Sequence, residues 1–397
     1  MMNAATALLH DLRGIRPTPT MFVLAGLAVI GLVTALIRFA FGIGAISNLT
    51  NAYSWGLWIS LDLLCGVALG AGAFTIAAAV YILNLKQFQP ILRPAILTGF
   101  LGYLMVIVAL MVDLGRPERI WHMMIYQNGH SVLFEVGLCV MLYTTVLALE
   151  FLPVLLKRTP WHRPIHLLHA ATMPLVLLGV VLSTLHQSSL GSLFLIMPSK
   201  LHPIWYTPLL PLFFFLSAVT VGLAMVIIEA SLSARAFKRP LELSLLSQLA
   251  RAIPYLLGVY LIVRLADLAV AGELALTVQP TQFALVFWVE LLIGWVAPLI
   301  LLANTRLRQQ PKWLLAGAGL VILGVVLNRF NVSLLALGHL TDQPYFPSIG
   351  EFAISLGIIS AGVLAFALVA RLFPLFDGER TGTQETIAPA TSGSPAG

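Results

Sequence analysis

The stretch WGLWISLDLLCGVALGAGAF, Trp55 to Phe74, lies in an apolar run from about 56 to 84 whose only charged residue is Asp62. A helix rises 1.5 Å per residue, so about 20 apolar residues cross a hydrocarbon layer about 30 Å thick. This run is long enough to span. A carboxyl inside such a run costs a few kcal/mol, roughly 3 on insertion scales, unless it faces a bundle interior, a partner or a cavity. Length with an isolated charge is the pattern that recurs along the chain, and it sets the fold class.

Working outward, 59% of the residues are hydrophobic and 10% charged, far from the balance of soluble domains. Spanning runs fall near 21–41, 56–84, 94–112, 132–156, 166–186, 208–230, 250–271, 282–303, 313–330 and 351–373. The expected fold is an all-α polytopic membrane bundle of about ten transmembrane helices. Residues 1–20 read as a cytoplasmic N-terminal segment, 21–373 as the transmembrane domain and 374–397 as a disordered cytoplasmic tail. The first run is too long for a removable signal peptide and lacks a small-residue cleavage site. No short-period repeat is evident.

Lys and Arg set the orientation. Arg13, Arg16, Lys86, Arg93, Lys157, Arg158, Arg163, Arg235, Lys238, Arg239, Arg251, Arg306, Arg308, Lys312, Arg371 and Arg380 fall on the side of the N-terminus. Only Arg116, Arg119 and Lys200 fall opposite, while Arg38, Arg264 and Arg329 lie within runs. The bias places both termini in the cytoplasm, and the net charge of +6 then reports orientation rather than nucleic-acid binding. The opposite loops, 42–55, 115–131, 187–207 and 331–350, are longer and more aromatic, and are the docking candidates. Trp55, Trp58, Trp121, Tyr126, Trp205, Tyr206 and Tyr345 in and beside them are expected first as an interfacial belt.

Both cysteines, Cys65 and Cys139, lie inside runs and no CxxC occurs, so the chain offers no basis for an iron–sulfur cluster or c-type haem. A b-type haem needs two histidines at one depth on neighbouring helices. His166 and His169 begin the fifth run, His186 ends it, and His122, His130, His202 and His339 are in loops. No such pair emerges.

The buried charges cluster toward the side opposite the N-terminus. Arg38 and Asp62 lie toward that end of the first two runs, Asp113 and Arg116 close the third, Glu135 opens the fourth, and Arg329 ends the ninth. Arg264 and Asp267, three apart, can neutralise each other. A set of Arg, His, Asp and Tyr at one depth suits a quinone headgroup, whose two oxygens need donors and, on reduction, two protons; structural ion pairing is the competing account. Glu150 follows Glu135 on one helix, about 22 Å toward the cytoplasm, with Cys139, Tyr143 and Thr144 between. Carboxyls so spaced can relay protons, although Glu150 alone reads as an interfacial residue. Glu290, mid-run with no neutralising neighbour, is a second candidate for such a path.

The motifs WGLWISLDLLCGVALGAGAF, RPAILTGFLGY from Arg93, VDLGRPERIWH from Val112, HSVLFEVGLCVMLYTTVLALEF from His130, LHQSSLGSLF from Leu185, LNRFNVSL from Leu327 and YFPSIGEF from Tyr345 resemble the NrfD or polysulfide reductase membrane-subunit family. Within it the chain is most similar to the integral subunit, so-called cytochrome b, of hydrogenase-2 type nickel–iron hydrogenases. The resemblance implies a haem-free subunit of the bacterial inner membrane, not catalytic on its own. It would exchange electrons between membrane menaquinone or ubiquinone and a periplasmic-side iron–sulfur, ferredoxin-like subunit, most closely alongside nickel–iron large and small subunits. It assigns Tyr103, His186 and Arg264 to the quinone site, with Asp62 and Asp113 as further members. Glu135 is assigned to proton transfer, with Glu150 as its inner relay. The same role in a cytochrome c or molybdoenzyme complex, or a secondary transporter, remains the alternative. A transporter site is expected at the midplane between discontinuous helices.

Overall fold

The computed structural model describes residues 17–51, 53, 55–157, 162–340 and 345–376. Arg13, Arg16, Arg158, Arg380 and most of the proposed tail lie outside them. Among the described residues ten helices are long and apolar enough to cross a membrane: α1 Pro19–Phe41, α2 Trp58–Ile82, α3 Lys86–Asp113, α4 Val132–Leu156, α5 Thr172–Leu195, α6 Leu210–Ala236, α7 Leu243–Val270, α8 Gln282–Ala303, α9 Pro311–Gly338 and α10 Ile349–Leu372. In lipid every backbone polar group must be met within the segment, so a helix is the form such runs take. Starts are marked by capping hydroxyls. Thr18 accepts from Met21 N, Ser131 from Phe134 N, Thr281 from Ala284 N, and Ser348 forms a reciprocal capping box with Glu351.

Odd and even helices run in opposite directions. We call the face at which α1 begins the N-face and the other the far face. α2 to α5 pack as one four-helix group and α6 to α9 as a second, joined where α6 meets α2 and α5 and where α9 meets α2. α1 and α10 pair with each other beside α3. Lipid supplies no hydrophobic drive for helix association, so small residues that permit close backbone approach take that role. A Cβ on Gly31 would stand 2.7 Å from Gly357 Cα, and one on Gly222 would stand 2.6 Å from Gly72 N. The first contact closes α1 on α10; the second locks α6 against α2 and so joins the two groups.

Several helices depart from ideal geometry. α2 contains π-helical segments at Trp58–Leu63 and Ala78–Ile82 and is interrupted by a turn at Gly70–Ala71. π-helical segments also occur at Leu292–Val296 in α8 and Asn331–Leu335 in α9. Two boundaries differ from the sequence expectation in a way that moves chemistry. α5 continues nine residues beyond His186, to Leu195, and α9 continues nine beyond Arg329, to Gly338. Polar residues that read as the ends of spans are therefore about 13 Å inside them.

The α1–α10 contact gives a first prediction. Gly31→Leu puts a side chain where only a glycine backbone fits, and overpacking of this kind costs about 1–3 kcal/mol. The thermal unfolding midpoint in mild detergent falls, whereas Gly26→Leu, at a site where an added Cβ meets nothing within 4 Å, leaves it unchanged.

Candidate functional site

A row of polar groups runs through the α2–α5 group. Tyr103 on α3, Tyr143 on α4, and Ser183, His186 and Gln187 on α5 are all buried. The Tyr103 ring centroid lies 4.8 Å from Tyr143 and 5.7 Å from His186. Gln187 Nε2 donates to Val67 O at 3.0 Å. Among the described residues, the hydroxyls of Tyr103, Tyr143 and Ser183, both His186 ring nitrogens and Gln187 Oε1 make no hydrogen bond of regular geometry; Tyr103 only approaches Ser183 and Gln187, Tyr143 approaches Ser183 and the Phe74 backbone, and His186 approaches the Val136 backbone. Unmet buried polar atoms are costly, and a cluster of them is where water or a proton carrier is expected. Carboxyls lie at both ends of the row. Toward the far face, Ser189 Oγ lies 2.7 Å from Glu135 Oε1. Toward the N-face, Glu150 lines a cavity of about 280 Å³ with Arg93, Lys157, His169, Tyr81 and Gln89.

A second cluster sits at the far end of α1, α2, α3 and α10. Buried Arg38 donates from Nε to Val112 O at 2.6 Å and from Nη2 to Leu114 O, meeting carbonyls that the end of α3 leaves open. Asp113 feels the charge of Arg38, and its Oδ1 has no hydrogen-bond partner among the described residues. Ser355 Oγ lies 2.5 Å from Asp62 Oδ2. Trp58 is 1% exposed, its Nε1 likewise without a partner, and it packs on Val112 and Ile354. Those two residues also close the far end of a cleft of about 320 Å³ between α1, α3 and α10, lined almost wholly by aliphatic side chains and glycine. Along α3, Leu101, Leu104, Met105, Val108 and Val112 face this cleft while Tyr103 faces the polar row. Above it Tyr345 donates to Glu351 and accepts from Leu57 N at 2.9 Å. Burial and that carboxyl push the Tyr345 phenol above its ordinary range, so it keeps the proton it donates.

The third cluster belongs to α6–α9. Arg264 Nη1 lies 3.4 Å from Asp267 Oδ2 and Nη2 donates to Ile204 O, while Thr207 Oγ1 donates to Asp267 at 2.8 Å. Glu290 accepts three N–H groups, from Asn328 at 2.8 Å, Asn331 at 2.7 Å and Trp205 at 3.1 Å. Asn328 in turn accepts from Arg329 at 2.9 Å, and Arg329 donates to Ser217 Oγ at 2.7 Å and lies 3.6 Å over the Phe214 ring. Glu290 and Arg329 are thus an ion pair bridged by an amide. At the far face His202 and His339 meet at 5.2 Å; burial and then His339 lower the pKa of His202, so the ring is neutral at neutral pH and the pair does not repel.

The structure brings together Tyr103 and His186, and puts Glu135 and Glu150 at the two ends of their row. It does not gather the whole expected quinone set: Asp62 and Asp113 lie on the other side of α3, and Arg264 is in the second helix group. His186 lies well inside α5 because the HQSS polar groups face the bundle, where a run of polar letters had read as a boundary. Trp58 and Trp205, expected in the belt, are core residues, whereas Trp121 and Tyr126 are exposed. The reading of residues missed Asn328, Asn331, Ser355 and Ser183. Only the i, i+3 spacing of the two asparagines, which puts both on one helix face, could have signalled them.

Ten apolar helices enclosing buried charges define a multi-pass membrane protein. Residues 45–341 match the family described as Polysulphide reductase, NrfD, and the chain belongs to that family. It is similar to the probable Ni/Fe-hydrogenase 2 b-type cytochrome subunit of Escherichia coli, 34% identical over 354 residues that cover 88% of this chain and 90% of the relative. It is 31% identical to the menaquinone reductase integral membrane subunit of Nitratidesulfovibrio vulgaris, over 88% of this chain and 89% of the relative. Identity to a selenate reductase subunit of Mesobacillus selenatarsenatis is 26%, over 90% of this chain and 94% of the relative.

The bridged pair gives a second prediction. Arg329→Met leaves Glu290 without its counter-charge in the core, and breaking a buried pair costs about 3–5 kcal/mol. The unfolding midpoint falls steeply, and adding Glu290→Gln to that variant restores part of the loss.

Proposed function

We propose that this chain is the integral subunit of a respiratory oxidoreductase complex in the bacterial inner membrane, exchanging electrons between a partner on the far face and membrane quinone. The relatives named for a hydrogenase, a menaquinone reductase and a selenate reductase support the common role. The hydrogenase-2 type complex, with a ferredoxin-like iron–sulfur subunit and nickel–iron large and small subunits, is the assembly we favour. The N-face is the cytoplasmic one and the far face the periplasmic one. The observation that carries the reading is the row of buried polar atoms without regular hydrogen bonds that leads from Glu150 toward Glu135.

Menaquinone or ubiquinone supplies a two-electron, two-proton couple when bound. The chain's own residues divide the remaining work along α3. The aliphatic cleft between α1, α3 and α10 accepts an isoprenoid chain from the lipid. At its far end Trp58 Nε1 and the Arg38 guanidinium are donors for a headgroup oxygen, with Asp62 and Asp113 beside them. Tyr103 and His186, shielded behind α3, hold and pass protons instead of touching the headgroup. Glu135, with Ser189, hands protons to the far-face cluster, and Glu150 takes them from the N-face cavity. Arg264, engaged by Asp267 and Ile204 O, has a structural role. No haem takes part.

Glu135→Gln keeps the shape and hydrogen bond of the side chain but cannot carry a proton. Quinone-linked turnover of the purified complex falls at least a hundredfold while the partner's dye-linked activity is retained; loss of both would mark an assembly defect and sink the assignment. The wild-type complex, isolated in mild detergent and analysed by mass spectrometry and a redox difference spectrum, contains an iron–sulfur partner and shows no b-haem band arising from this chain. A b-haem assigned to it would overturn the haem-free reading.

A further inference from the structure

Carboxyls inside this bundle differ in what meets them. Asp267 is met by Arg264 and the Thr207 hydroxyl, Glu290 by three N–H donors, and Glu351 by two backbone N–H groups and the Tyr345 hydroxyl. Asp62, Glu135 and Glu229 each meet one serine hydroxyl, from Ser355, Ser189 and Ser233. A hydroxyl can donate to a carboxylate or accept from a carboxylic acid, so a serine partner leaves the hydrogen bond intact in either protonation state. These three carboxyls can gain or lose a proton without losing that bond. Two have roles above; Glu229 has none.

Glu229 is on α6, seven residues before its N-face end. It is 7% exposed; Ser233 Oγ donates to Oε1 at 2.7 Å, and Oε2 has no hydrogen-bond partner among the described residues. On its N-face side lies a cavity of about 60 Å³, walled by Pro90 and Pro94 of α3 and by Arg239, Glu242 and Phe376. That volume holds a few waters. Arg239 and Glu242 are the other charged groups there, and the Arg239 guanidinium lies 3.9 Å over the Phe376 ring. On the opposite side, Glu229 shares a narrow gap with Thr98, Gly99 and Gly70. The Thr98 hydroxyl is buried and unpartnered among the described residues. Gly70 is where α2 breaks, and a Cβ there would stand 3.2 Å from the Tyr103 ring. Carboxyl, hydroxyl and helix break lie in that order between the N-face cavity and Tyr103 and share no residue with the cavity at Glu150; Thr98 makes no hydrogen bond with Glu229 and the gap between them is too narrow for water, so a proton crosses it only when these side chains rotate together.

We propose that Glu229 is the loading group of a second proton inlet from the N-face, separate from the one at Glu150. Glu229 Oε2 takes a proton from water in the cavity, and the Thr98 hydroxyl passes it to the polar row at Tyr103. The proton is consumed at quinone, which takes two electrons from the partner and two protons, and Glu229 is left as a carboxylate ready to reload. The inference rests on the quinone-reducing reading above.

The test uses the whole complex in proteoliposomes, with quinone-linked turnover and proton uptake from the N-face measured together. Glu229→Gln lowers both at least tenfold while dye-linked partner activity and the composition of the complex hold, and Thr98→Val does the same. Formate or azide added on the N-face restores part of the Glu229→Gln rate, which a merely structural role would not allow. If Glu229→Gln fails to assemble, Glu229→Asp reads instead, with slowed turnover that weak acid again raises. Unchanged turnover and uptake in an assembled Glu229→Gln complex, or loss without weak-acid rescue, overturns the proposal alone. A wild-type complex with no quinone-linked turnover overturns it together with the reading on which it rests.

Discussion

Guanidinium groups meeting backbone carbonyls hold this bundle in register. Arg38 takes the open carbonyls at the end of α3, Arg308 takes Leu302 O in α8 at 2.6 Å, Arg264 takes Ile204 O, and Arg329 reaches Phe214 O at 3.3 Å. Carbonyls at helix ends and loops lack partners and carry partial negative charge. In hydrocarbon no water can meet them. Arg38, Arg308 and Arg264 therefore satisfy a neighbouring backbone and lose part of their own desolvation cost, while Arg329 shares Phe214 O, inside α6, with the Ser217 hydroxyl. Because three of these contacts join different segments, they fix which helices touch, and the small-residue contacts between helices close around them.

Once the arginines are placed, the carboxyls follow. Those drawn to arginine or amide groups, Asp267 and Glu290, belong to the scaffold. Those left with a serine hydroxyl keep that hydrogen bond whether or not they carry a proton. The same residue types thus serve two ends, and the partner decides which. Arg264 and Glu290, prominent in the sequence as buried charges, are held by several partners within the second helix group, while Glu229, four residues before Ser233 and near a helix end, was not singled out in the sequence at all.

What the sequence made legible was what hydrophobic length and charge can specify. The ten spans and the Arg264–Asp267 pair need only local information. Depth was harder. His186 and Arg329 were placed at the ends of spans because polarity in HQSS and NRFN mimics a boundary, whereas the helices continue for two and a half turns past them. Partners across helices, such as Asn328 for Glu290 or Ser355 for Asp62, depend on packing that no spacing within one helix reveals. The motif resemblance pointed to Tyr103 and His186 together with Glu135, and these do share a region; it could not show that α3 separates them from Asp62 and Asp113.

The π-helical segments have a separate consequence. Each fits an extra residue into a turn, so the helix on one side of it is rotated relative to the other. In α2 the segment at Trp58–Leu63 decouples the face that offers Asp62 to α10 from the face that offers Val67 and Gly70 to α5 and α3. In α9 the segment at Asn331–Leu335 follows Asn328 and Arg329 and lets Ser333 turn to Ser60, 2.7 Å away. A single helix can thereby answer to two sets of neighbours whose angular demands conflict, and the halves of a span become free to diverge in sequence independently of each other.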